Sequence, residues 1–160
     1  MQKPNGNATG SVPQLLADAM LGKLARWLRL LGYDTLYLQA DDDLLAHRAR
    51  AEGRILLTRD QELARRRGLE TLLIHAQILD EQLAQVVETL GPPPPAAAPR
   101  CMACNVPLEE ITAAEAKPYV PSYVAQTQTA FRRCPVCGKV TWPGTHWDDI
   151  QARLESILDL

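Results

Sequence analysis

This chain lacks the long apolar runs that cross membranes. No stretch reaches the ~18 apolar residues of a spanning helix, so we expect no membrane contact. It also lacks a charge excess. Lys and Arg number 17 against 19 Asp and Glu, a formal net charge of −2. The balance holds on both sides of Gly91, with 11 basic and 12 acidic residues up to it and 6 and 7 after it. No global basic field draws in a polyanion, so nucleic-acid binding must come from local clusters. Glycine-rich phosphate loops are missing too. No G-x-G-x-x-G follows the first apolar run and no G-x-x-x-x-G-K-[ST] occurs, which removes the usual nucleotide-binding folds. The opening "MQKPNGNATGSVP" has no apolar h-region. We read residues 1–12 as a flexible polar tail and not as a signal peptide. Cysteine is absent before Cys101. All four cysteines then come as two C-x-x-C pairs, which fits a cytoplasmic metal site better than a disulfide framework.

What is present is a regular alternation. Hydrophobic residues make up 46% of the chain, as in globular proteins. "QLLADA", "DTLYL", "RILLTRD" and "ETLLIHA" read as strands. "MLGKLARWLRLLG", "DDDLLAHRARAEG", "QELARRRG" and "LDEQLAQVVETLG" between and after them read as helices, with Gly32 and Gly53 as stops. This β-α repeat predicts an α/β fold over residues 13–91, a parallel sheet flanked by helices. "GPPPPAAAP" breaks the pattern and predicts a semi-rigid linker over 92–99. Residues 100–160 then form a small cysteine unit. It ends in an amphipathic helix, "HWDDIQARLESILDL", with Ile150, Leu154 and Ile157 on one face.

Acids recur at the predicted strand ends. Asp18 ends the first strand, Asp41, Asp42 and Asp43 follow the second, and Asp60 ends the third, with Glu62 just beyond. In a parallel α/β sheet these ends share one edge, where ligands bind. Clustered carboxylates repel one another, and a hard divalent cation such as Mg²⁺ or Mn²⁺ relieves the conflict. Such a cation activates water and stabilises charge on a phosphodiester, so metal-assisted hydrolysis is the chemistry this pattern suggests. Each acid has a plainer reading as well. Asp18, Asp60 and the Asp41–Asp43 trio can cap helices, and Glu62 can be a solvated first-turn acid. A phosphoaspartate protein also places an Asp at a strand end with Mg²⁺.

The helix after Asp18 turns Leu21, Leu24, Leu28 and Leu31 inward and Lys23, Arg26 and Leu30 outward. Lys23 and Arg26, with Arg59 beside Asp60, are candidate phosphate contacts, and Trp27 sits at the boundary, suited to packing or to base stacking. Leu30 is a candidate docking point for the second unit. The Arg65–Arg67 run reads most simply as complementing a helix C-terminus. His47 and His75 have no partner spacing and read as structural or exposed.

Cys101, Cys104, Cys134 and Cys137 give C-x2-C…C-x2-C, the ligand set of a closed, structural tetrahedral Zn²⁺ site. Gly138 and Asn105, which follow the two pairs, suit the positive-φ positions of tight metal turns. The 29-residue insert should form a hairpin or loop of its own. With four thiolates in place, His146 in "GTHW" is not needed as a ligand. Tyr119, Tyr123, Phe131, Arg132, Arg133 and Trp142 can serve either RNA contact or the unit's own small core.

Together, "DAMLGKLARWLRLLGYDT", "DDDLLAHRARAEGRILLTRDQELA", the two C-x-x-C pairs with "VPSYV" between them, and "GTHW" resemble the Mut-seven C-terminal ribonuclease domain family over roughly residues 14–150. The resemblance implies a PIN-like nuclease domain with a C-terminal zinc ribbon, and a single-stranded RNA endonuclease using Mg²⁺ or Mn²⁺. It implies catalytic roles for Asp18, for Asp42 or Asp43, and for Asp60, with Thr58 as the threonine of a T-x-D strand end and Glu62 as a fourth acid. The ribbon would contact RNA, the ribosome or another protein. A non-catalytic RNA- or ribosome-associated adaptor on the same scaffold is the alternative.

Overall fold

A computed structural model describes residues 12–94, 97–144, 148, 149, 151, 152, 155 and 156. Four short strands, β1 (Leu15–Ala17), β2 (Thr35–Tyr37), β3 (Ile55–Thr58) and β4 (Thr71–Leu73), alternate with helices α1 (Gly22–Leu31), α2 (Asp42–Glu52), α3 (Gln61–Ala64) and α4 (Leu79–Leu90). All strand pairings are parallel, in the order β2-β1-β3-β4. Alternating strand residues supply two cores. Leu15, Ala17, Ile55 and Leu57 pack under Leu24 and Leu28 of α1 and Leu83 and Val86 of α4. Leu16 and Leu56 pack on the other face under Leu45 and Ala49 of α2 and Leu63 of α3. A strand buried on both faces must be apolar throughout, which is why "LLA" and "ILL" show no alternation. Val12, assigned above to the tail, also packs against the first of these cores.

Gly32 and Gly53 both end their helices at positive φ, 108° and 64°. At Gly32 the tight turn also lets the linker close in, since a Cβ there would lie 3.4 Å from the Ala97 side chain.

Beyond the prolines, β5 (Glu109–Ile111), α5 (Ala113–Ala116), α6 (Ser122–Thr127), β6 (Phe131–Arg133) and β7 (Val140–Thr141) build a three-stranded antiparallel sheet, β5-β6-β7. The long insert forms the hairpin expected of it, since β5 and β6 both lie within it and pair antiparallel, and the connection between them carries the two short helices. Thr112 caps α5 by accepting from the Glu115 amide, and Ala116 and Val124 bury against Phe131 and Val140. The insert is long because it completes this unit's core. His146, Trp147, Ile150, Leu154 and Ile157, and with them the expected apolar helix face, lie outside the described residues. Among the described residues no helix is long and apolar enough to cross a membrane.

Candidate functional site

β1 and β3 are neighbours, yet the chain leaves them in opposite directions, to β2 and to β4. That makes their carboxyl ends the topological switch point, where the sheet opens a crevice. Asp18 and Thr58 stand there. Both are buried, and the Thr58 hydroxyl donates to Asp18 Oδ2 at 2.6 Å. The other Asp18 oxygen accepts from the Met20 amide at 3.1 Å and caps the 3-10 turn Ala19–Leu21. Thr58 Oγ1 accepts in turn from the Asp60 amide at 3.0 Å. One threonine thus ties the ends of two strands together and orients the chain into Asp60.

Asp60 is exposed and caps α3, its Oδ1 accepting from the amides of Glu62 and Leu63. Asp41 caps α2 by accepting from the Leu44 amide. The capping readings are therefore real at Asp18, Asp41 and Asp60, while Asp42 and Asp43 occupy the first turn instead. These two differ. Asp42 lies on the helix face of Leu45, Ala46 and Ala49, all buried, and is itself half-buried. Asp43 points outward and pairs with Arg66 at 2.6 Å. Glu62 is exposed. The acids share the edge without forming one tight cluster. The group of three or more close ligand atoms among the described residues is the cysteine set.

Lys23 and Arg26 are exposed and Arg59 half-buried, and no side-chain hydrogen bond or ion pair engages them among the described residues. Trp27 packs against the α1 core, which favours the packing reading. His47 and His75 are exposed.

The four cysteine sulfurs all lie within 4.8 Å of one another, with Cys101 and Cys137 at 3.8 Å. A tetrahedral Zn²⁺ with bonds of about 2.3 Å sets its ligands about 3.8 Å apart, so the set fits such an ion. The two turns match. The Asn105 and Gly138 amides donate to the carbonyls of Cys101 and Cys134, each at 2.9 Å, and take φ of 60° and 76°. Burial pushes the Cys134 thiol up, but the amides of Cys137 and Val136 on its sulfur outweigh this and bring it to about 7. Desolvation and the other three sulfurs push Cys104 up to about 12. Four thiolates cannot coexist there without a cation to neutralise them.

Comparison with protein-family models settles the kinship, since the Mut7-C RNAse domain model matches residues 13–154. The chain belongs to the Mut7-C RNAse domain family. Curated proteins and solved structures yield no match. Membership in the Mut7-C family brings a ribonuclease-like function, with RNA as the substrate class.

In this Mut7-C chain the cysteine unit sits at the opposite, amino edge of the parallel sheet, a placement the sequence did not reveal. Buried Arg29 donates from Nε to the Thr35 carbonyl at 2.8 Å and from Nη1 to the Met102 carbonyl, inside the first C-x-x-C, at 2.6 Å. Asn105 accepts from the Thr35 amide at 3.0 Å and donates to Asp34 Oδ1 at 2.7 Å. Arg54 donates to the same Asp34 oxygen at 2.9 Å. Burial works against the Asp34 charge, but the hydrogen bonds of Arg54 and Asn105 and the nearby Arg54 and Arg100 charges hold its carboxyl below the usual range. Arg29 carried one overlooked signal. On the α1 wheel it falls beside Ala25 at the flank of the apolar face, away from Lys23 and Arg26.

Proposed function

We propose that the chain is a metal-dependent ribonuclease that hydrolyses phosphodiesters of single-stranded RNA at the carboxyl edge of the parallel sheet. The observation that carries this is the buried Asp18–Thr58 pair at the switch point, with Asp60 continuing from it, in a chain of an RNase domain family. Asp18, Asp42 and Asp60 would hold Mg²⁺ or Mn²⁺. The donor set suits a hard cation. Asp18 uses one hydrogen bond per oxygen and Asp60 caps through Oδ1 alone, so acceptor capacity remains on both. A closed cage is not required, because Mg²⁺ commonly binds one or two carboxylates and keeps its waters.

When bound, the ion makes water nucleophilic at neutral pH and offsets the charge that builds on the phosphodiester. Thr58 fixes the Asp18 carboxylate, and the α3 cap fixes Asp60. Lys23, Arg26 and Arg59 hold substrate phosphates on the rim. Asp42, on the sheet-facing side of α2, is a better third acid than Asp43, which Arg66 already engages. Glu62 is an outer acid for water or a second cation. Zn²⁺ on the four cysteines is structural. The functional division is an α/β domain at 13–91, a linker at 92–99 and a zinc ribbon from residue 100, in a reducing, cytoplasmic setting that suits free thiols.

The deciding assay uses purified protein, labelled single-stranded RNA, and Mn²⁺ against no divalent ion, with Asp18→Asn beside the parent. Cleavage should require Mn²⁺ or Mg²⁺ and the carboxylate, and equal turnover by the variant would overturn the assignment. The capping roles of Asp18, Asp41 and Asp60 favour a second reading, an RNA- or ribosome-associated adaptor. It predicts salt-dependent binding without turnover.

A further inference from the structure

The groove between α1 and the antiparallel sheet has no role in this reading so far. It opens between Leu30 on one side and Pro99, Arg132, Thr141 and Trp142 on the other. Trp142 is half-buried against the Phe131–Val140 core and also lines the groove. Among the described residues the Arg132 side chain reaches only exposed Glu110, at 4.0 Å, a contact worth little in water. Leu30 shares its helix face with Arg26 and Lys23, and Lys23 lies in the first turn of α1, close after Asp18. The rise from Lys23 to Leu30 is about 10 Å along the axis. One continuous track therefore runs from the acidic edge, over two cations unpaired among the described residues, to an apolar groove holding a tryptophan and an arginine.

We propose that this groove is a nucleobase subsite. An unpaired base of single-stranded RNA stacks on Trp142 between Leu30 and Arg132, a few nucleotides from the Asp18 edge, while the intervening phosphates cross Arg26 and Lys23. Charge complementarity selects the occupant. Cations along the approach and an aromatic ring with a guanidinium at its end are what a single strand uses, since every base offers a π-face to stack. A duplex keeps its bases stacked on each other and cannot deliver one into a half-open groove. The proposal deepens the ribonuclease reading by naming where the strand goes, but its test does not use cleavage.

The test is fluorescence anisotropy of a labelled single-stranded oligoribonucleotide titrated with the full chain, without added divalent ion. Trp142→Ala should weaken binding about tenfold or more, and Trp142→Phe should recover most of the loss. Arg26→Gln and Lys23→Gln should each lower the slope of log K against log salt by about 0.7. Duplex RNA of equal length should not respond to Trp142→Ala. Unchanged single-strand binding by Trp142→Ala would overturn the proposal. So would a loss shared by duplex RNA. A loss that Trp142→Phe does not recover, with reduced zinc content and melting temperature, would mean that the groove is a packing seam or is filled by the chain's own segment beyond Gly144. Trp142-dependent binding by a parent that never cleaves would keep the subsite and remove the ribonuclease reading, and cleavage with Trp142-independent binding would do the reverse.

Discussion

The two edges of the parallel sheet are built from similar residues and used in opposite ways. At the amino edge, Arg29, Asp34, Arg54 and Asn105 are interlocked, each bonded to backbone or to another member, and together they fasten the cysteine unit to β2. At the carboxyl edge, Lys23, Arg26 and Arg59 have no such partners among the described residues, and Glu62 and Asp60 are exposed. Charge alone does not mark a working site. Charge whose hydrogen-bonding capacity is already satisfied is structure, and charge held in place with capacity to spare is what a ligand can use. Three large apolar side chains, Met20, Leu44 and Ile78, are also exposed around the carboxyl edge, where helices begin after strands.

The largest effect should come from denying the amino-edge unit the Zn²⁺ that its four cysteines are placed to hold. Structural zinc binding contributes on the order of 10 kcal/mol to folding in small metal modules. Here Met102 and Asn105 lie in or directly after the first C-x-x-C and bond to Arg29, Thr35 and Asp34, so the loss should spread into the sheet. Stripping zinc with a strong chelator, or Cys134→Ser, should unfold the cysteine unit and lower the melting temperature of the whole chain. Hydrogen exchange of β2 amides is the direct readout. Unchanged β2 protection after zinc loss would show that the two units fold independently. Next in size, Asp18→Asn at the other edge should cut cleavage about a hundredfold or more, the scale of losing a preorganised electrostatic contact. Asn can keep the cap on the Met20 amide but loses the Thr58 hydroxyl as donor to one oxygen, so the melting temperature should fall, by much less than on zinc loss.

Arg29→Met tests the seam without touching a metal ligand. It strips a charged donor from the Thr35 and Met102 carbonyls and should cost about 2–3 kcal/mol, read by denaturant titration with cleavage per folded molecule unchanged. Asp34 adds a pH signature. Its carboxyl is held below its ordinary 3.8, so the stabilisation it gives is complete above that value and fades as pH falls through the lower folded value. Asp34→Asn should be less stable at neutral pH and should flatten the acid limb of a stability profile.

Much of the fold was legible because its signals are local. Short apolar runs, period-3.6 patterns and the glycine stops of α1 and α2 are written within a dozen residues of each other, and every expected strand and helix up to Leu90 forms. The C-x-x-C spacing with Asn105 and Gly138 is equally local. The seam was not legible, because it joins residues some 70 positions apart, Arg29 to Met102 and Asp34 to Asn105. No spacing rule links them, and Asn105 read only as a residue that tolerates positive φ. The two short helices inside the insert were not legible for the same reason. The insert's length is visible, but whether Ala116 and Val124 find a core depends on Phe131 and Val140 across the sheet. At the carboxyl edge the sequence places acids after three strands, and the fold then separates the cap, Asp41, from Asp42 and Asp43 in the first turn.

That division gives the smallest and sharpest prediction. Asp42 and Asp43 are adjacent and chemically identical, so composition cannot rank them. One helical step of about 100° separates them. It turns Asp42 toward the sheet, with Leu45 and Ala49, and Asp43 toward solvent, where it stays largely exposed even in its pair with Arg66. Exposed ion pairs are worth about 0–1 kcal/mol. Asp43→Asn should therefore cost less than about 1 kcal/mol, an effect that vanishes in high salt. Its cleavage should stay within a fewfold of the parent. Asp42→Asn should leave stability near the parent value and raise the Mn²⁺ concentration needed for half-maximal cleavage. A reversal, with Asp43→Asn changing the Mn²⁺ requirement and Asp42→Asn silent, would mean that Arg66 releases Asp43 when the cation arrives. The carboxyl edge would then be rearranged by its ligand, unlike the fixed seam at the other end of the same strands.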